Sequence, residues 1–151
     1  GMWCKHTNFE IDTRSPLIIR DPAMKAAGQK TDALAEFVDI YPTLCELCGL
    51  EKPSHLQGTS IAALLNDPKR RVKTAAFSQY PRGNCMGYSM RTDRYRYTEW
   101  QIDNEAVARE LYDHKTDPAE NRNVANLPDN AALVEQLSKE LNAFNKKMSA
   151  A

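Results

Sequence analysis

KTAAFSQYPRGNCMGYSMRTDRYRYTEWQIDNEAVARELYD, residues 73–113, is the stretch that decides the fold. Residues 73–80 read as a strand. Met86–Arg91 and Tyr95–Trp100 read as two more, joined by a turn at Thr92-Asp93. Glu110–Asp113 supplies a fourth. Strands in series with short turns predict an antiparallel meander. Downstream, Pro128 and Asp129 introduce a helix whose apolar residues Leu133, Leu137, Leu141, Phe144 and Met148 share one face. Lys146 and Lys147 suit its C-terminal end. The expected unit is a small antiparallel four-stranded sheet with one face covered by that helix, over residues 69–151.

The pattern differs upstream, over residues 1–68. Residues 1–15 lack periodicity and read as a loop. Pro16–Ile19 is a short apolar run that fits a buried strand, stopped by Asp21-Pro22. Ala33–Val38 fits either a strand or a first helical turn. Asp39 reads as an N-cap, Pro42 falls in the first turn, and Gly49 ends that helix. Ser60–Leu65 reads as one more short helix, closed by Asn66-Asp67-Pro68.

Composition narrows the function. The chain has 151 residues, 42% of them hydrophobic, enough for a packed core. Its 20 basic and 20 acidic residues balance, which argues against a nucleic acid or an anionic membrane as partner. No apolar run nears the ~20 residues of a membrane span. Cys45 and Cys48 form a CxxC, but one pair without a second ligand pair makes a poor zinc site. Flanking Leu44, Leu47 and Leu50 favour core packing of an amphipathic helix. A Cys4–Cys85 pairing is left open.

Lys5, with His6, Thr7 and Asn8, and Arg82 are the candidate chemical residues. An ammonium stabilises charge on the oxygens of an ester undergoing cleavage, and a histidine can protonate a leaving group. A guanidinium suits a carboxylate or sulfate on a sugar. The bland alternatives are a solvated loop for Lys5-His6 and an exposed turn for Arg82. Tyr88, Tyr95, Tyr97 and Trp100 read as sheet-face packing before sugar stacking. Tyr112, Asp113 and the Asp117-Pro118-Glu120-Asn123 turn read as structural.

Six ordered segments carry a family resemblance. MWCKHTNFE, residues 2–10, resembles the sulfate-binding lysine segment of sulfatases, nearest the iduronate-2-sulfatase type. TRSPLI, VDIYPTLCELCGL and GTSIAALL are similar to the family's strand entry, Asp-x-x-Pro-Thr-Leu helix and Gly-x-Ser-Leu turn. FSQYPR with MGYSMRTDRYRYTEW resembles the iduronate-2-sulfatase branch. ELYDHKTDPAENRNVA is similar to the family's closing element. The resemblance implies the C-terminal part of an alkaline-phosphatase-like α/β fold. Residues 1–68 would be the end of its large domain and residues 69–151 its sheet-and-helix subdomain. It implies hydrolysis of a sulfate ester on a glycan, with Lys5 binding sulfate and His6 a weaker catalytic candidate.

The family's formylglycine arises within Cys/Ser-x-Pro-x-Arg, and that motif is absent from this sequence. Its calcium is held by acidic residues upstream of the lysine segment. Both groups are implied for a full-length member, and neither is expected to be bound by this chain, whose metal ligands are expected to be none. The chain alone is therefore expected to be inactive. The apolar strand at Pro16–Ile19 and helix at Asp39–Leu50 are expected to drive self-association through Leu17, Ile19, Leu44 and Leu47. A stand-alone, non-catalytic module for sulfated sugar and a phosphoryl or phosphonate hydrolase of the same superfamily are the rival readings. The compartment stays open, periplasmic or secreted being compatible with the parent.

Overall fold

In chain order the elements are α1 (Glu10–Thr13), α2 (Ile40–Leu47), β1 (Ala75–Arg82), β2 (Cys85–Thr92), β3 (Tyr95–Ile102), β4 (Glu105–Asp113) and α3 (Ala131–Ser149), with short 3-10 turns before α2, at Ala62–Leu65 and before α3. They are seen in a computed structural model that describes residues 6–149. Lys5 and Cys4 lie outside those residues. Residues 6–15 form one unit with residues 77–149, and residues 16–76 form a second.

The sheet is the expected meander, in the order β1-β2-β3-β4. β2 and β3 pair antiparallel, with Gly87 opposite Trp100, Ser89 opposite Thr98 and Arg91 opposite Arg96. β3 and β4 pair antiparallel too, with Arg96 opposite Tyr112. A register shift at Trp100/Gln101 leaves Val107 as an extra residue, more than half exposed. β4 begins five residues before the expected Glu110. Glu105–Arg109 is exposed and lacks apolar alternation, so periodicity could not reveal it. Its signal lay in Asp103-Asn104, both at positive φ (50° and 67°), a two-residue hairpin turn.

Period-two alternation gives the sheet two unlike faces. One carries Met90, Tyr97 and Leu111, all essentially buried, against Val134, Leu137 and Leu141 of α3. Phe77 of β1 stacks on Phe144 of α3 at 3.5 Å between ring centres. The buried carboxylate of Glu99 joins the layers. It accepts from Tyr97 Oη (2.7 Å), Gln101 Nε2 (2.9 Å), Asn142 Nδ2 (3.1 Å) and Ser138 Oγ (2.5 Å), and pairs with Arg109 Nε at 3.4 Å. Burial alone would raise this carboxyl, but the hydrogen bonds from Ser138, Tyr97, Gln101 and Asn142 outweigh it and hold the group below the ordinary glutamate value.

In the second unit, Pro16–Ile19 is not a strand: among the described residues no strand pairs with it, and an isolated extended run has no ladder to join. Asp39 stands at the expected N-cap position of α2 but its side chain makes no cap bond there. Its carboxylate is fully buried and turned back instead, accepting from Glu36 N (2.8 Å), Thr59 N (2.8 Å) and Lys73 Nζ (2.5 Å). α2 therefore buries Pro42, Thr43 and Cys45 and leaves Leu44 exposed, so its leucines do not form the core side that the sequence suggests. Gly49, at φ +65°, ends the helix as expected, with Leu50 N donating to Cys45 O (2.8 Å). Gly58 cannot be replaced cheaply, since a Cβ there would lie 1.9 Å from Val38 O. Cys45 is buried and Cys48 exposed, and both, like Cys85, are free thiols.

Candidate functional site

The second face of the sheet is polar, and the start of the described chain lies across it. Thr7 and Asn8 lie in the expected loop and are buried there. Thr7 Oγ1 donates to Asp12 Oδ2, and Asn8 Nδ2 donates to Gly87 O at 2.9 Å. Gly87 permits this approach: a Cβ would meet Trp100 Cζ3 at 2.8 Å and Asn8 Nδ2 at 3.0 Å. Phe9 packs edge-on against Tyr112, 5.7 Å between ring centres.

Two candidate residues, His6 and Arg82, are each held by an aromatic side chain of this face. His6 Nδ1 is 2.7 Å from Tyr80 Oη, in a hydrogen bond whose direction depends on the imidazole tautomer. Tyr80 and Arg82, two apart on β1, point the same way. The Arg82 guanidinium lies 5.1 Å from the centre of the Trp100 ring, a cation–π contact. Trp100 Nε1 is fixed by Glu110 Oε1 at 3.0 Å. Arg82 is exposed while Trp100 and Tyr80 are half-buried, so the face offers a guanidinium, an imidazole and a phenol to solvent. That set can receive an anion borne on a ring. Tyr80 and Trp100 were not singled out as site residues from sequence. Alternation with Arg82 along β1 was the one available signal for Tyr80, and cross-strand register could not be known for Trp100.

Deeper on the same face is an ion network. Arg96, almost fully buried, donates from Nε to Glu120 Oε1 (2.6 Å) and from Nη2 to Glu10 Oε2 (2.6 Å) and Thr13 Oγ1 (3.0 Å). His114 Nε2 lies 2.7 Å from Glu120 Oε1, and Arg91 Nε 3.3 Å from Glu10 Oε2. Burial would raise the Glu10 carboxyl, but Arg96, Arg91 and His114 hold it below its ordinary value. Among the described residues, Glu10, His114 and Glu120 are the group close enough to share a metal ion. The Arg96 guanidinium already occupies both carboxylates, and calcium wants about six to eight oxygen ligands. These residues do not fit a calcium ion.

The family described as N-sulphoglucosamine sulphohydrolase, C-terminal, matches residues 1–147, and the chain belongs to that family. It is 33% identical to a delta 4,5-hexuronate-2-O-sulfatase of Bacteroides thetaiotaomicron, over 84% of this chain and 27% of the relative. It is 29% identical to iduronate 2-sulfatase of Mus musculus, over 91% of this chain and 37% of the relative. A solved structure of a protein bound to its substrate D-glucosamine-2-N,6-O-disulfate superposes with a TM-score of 0.71 at 26% identity, over 82% of this chain and 26% of that one. The chain spans about a quarter to a third of the length of such relatives (23–37%).

Proposed function

We propose that this chain is the substrate-facing C-terminal part of a sulfuric ester hydrolase acting on sulfated glycans, of the iduronate-2-sulfatase type. The observation that carries the reading is the convergence of His6 and Arg82, far apart in sequence, through Tyr80 and Trp100 onto one open sheet face. Lys5 is the residue immediately before His6. Its ammonium would bind the non-bridging sulfate oxygens and stabilise charge on the departing oxygen. His6 would hold or deliver a proton at its Nε2, its Nδ1 being held by Tyr80. Arg82, held over Trp100, would receive a carboxylate or second sulfate on the sugar. The formylglycine and calcium of the family belong to residues other than these, and the chain by itself turns over no sulfate ester. The apolar side chains left exposed between residues 16 and 76, Leu17 and Leu44 among them, make contacts between copies of the chain.

Titration calorimetry with a 2-O-sulfated unsaturated hexuronate disaccharide tests the assignment. The sulfated sugar should bind, its desulfated form should bind at least tenfold more weakly, and Lys5→Ala and Arg82→Ala should each cost about tenfold, the worth of a charged hydrogen bond. Tighter binding of the 2-O-phosphorylated analogue would move the reading to phosphoryl esters. Turnover of an aryl sulfate by the chain alone, abolished in Lys5→Ala, would overturn the inactivity.

A further inference from the structure

Glu120 sits in the turn after β4, in a segment that reads by sequence as a plain chain reversal. Its backbone is left-handed, φ +56°, a conformation that costs a residue with a Cβ and that glycine or asparagine would adopt more readily. The turn is closed on Asp117, with Glu120 N donating to Asp117 O (3.1 Å) and Arg122 N to Asp117 Oδ2 (2.8 Å), and is tied to β4 by Leu111 N donating to Asn123 Oδ1 (3.0 Å). The Glu120 side chain is 2% exposed, so its charge is removed from water. Its two oxygens face different parts of the molecule. Oε1 takes Arg96 Nε of β3 and His114 Nε2, while Oε2 takes the backbone N–H of Glu10 at 2.7 Å. Arg96 completes the clasp on Glu10 Oε2 and Thr13 Oγ1.

We propose that Glu120 is a positioning residue: its buried carboxylate latches residues 8–13 to the sheet and thereby places the adjoining His6 on the face that carries Arg82. What the placed histidine binds rests on the proposed function; the latch itself does not. A turn chosen for its backbone alone gains from glycine at this position. A latch loses its hold with the same substitution.

Glu120→Gly separates the two. Hydrogen exchange followed by mass spectrometry on the full chain is read at residues 8–13 and, as internal reference, at β2, β3 and α3. The latch predicts exchange at least tenfold faster at residues 8–13 with the reference amides within twofold of the parent. It also predicts at least fivefold weaker binding of the 2-O-sulfated disaccharide, with Glu120→Gln intermediate in both readouts. Unchanged exchange at residues 8–13, or equal acceleration throughout the sheet, overturns the latch. If Glu120→Gly does not fold, the same comparison on Glu120→Gln decides. If the parent chain binds no sulfated sugar, the sulfatase reading fails while the exchange pattern still judges the latch.

Discussion

Two carboxylates and one glycine carry the physical argument at the scale of single residues. Glu10 and Glu99 are each pushed up by burial, yet their partners bring both below the ordinary value of 4.5. A carboxyl whose folded value lies below its unfolded one adds stability that is complete above about pH 4.5. That stability is lost as pH falls through the folded value. Urea midpoints measured from pH 7 to pH 3 should therefore drop below about pH 4.5, and Glu99→Gln should flatten the drop. Glu99→Ala strands the donors of Tyr97, Ser138 and Asn142 and should cost about 3 kcal/mol by urea unfolding. Gly87 is the third case. Alanine there would drive a methyl into Trp100 and Asn8, at about 1–3 kcal/mol for overpacking. The tilt of the Trp100 ring should show as a shift in indole emission, with weaker hold on Arg82.

Elements follow their sequence where burial is one-sided. α3 presents the expected face, with Leu137 and Leu141 at 3% and 1% exposure. Leu141→Ala should cost about 2–5 kcal/mol, read as a lower urea midpoint at unchanged slope. Val134, absent from the expected stripe, is buried too because the sheet covers a band wider than one heptad seam. The β3–β4 hairpin turns on two left-handed residues, neither a glycine. Asn104→Gly should gain about 0.4–1 kcal/mol, a rise of a few degrees in Tm, by relieving φ +67°. α2 shows the limit of pattern reading: Leu44 faces outward because Thr43 binds Asp39 O (2.5 Å) and receives Ile61 N (3.0 Å), which fixes the side of Thr43 inward.

For the whole molecule, the surface of residues 16–76 decides behaviour in solution. Ile18, Phe37, Tyr41, Leu44 and Leu50 are all more than half exposed. Sedimentation velocity at micromolar concentration should find a dimer or larger species, and Leu44→Lys with Tyr41→Lys should return it to monomer. A clean monomer for the parent chain would show that this surface has no affinity for itself. The sequence by itself determined the meander, the α3 face and the stop at Gly49, because each follows from local periodicity or a backbone preference. Its ordered motifs also pointed to the sulfatase family, which the family match bears out. Only the tertiary structure decided that Thr7 and Asn8 lie buried against the sheet, that Tyr80 holds His6 and Trp100 holds Arg82, and that Glu120 clasps Glu10. Those facts depend on cross-strand register and on contacts between distant segments. Neither leaves a periodic mark, since a buried arginine held by two glutamates reads in sequence as three solvated charges.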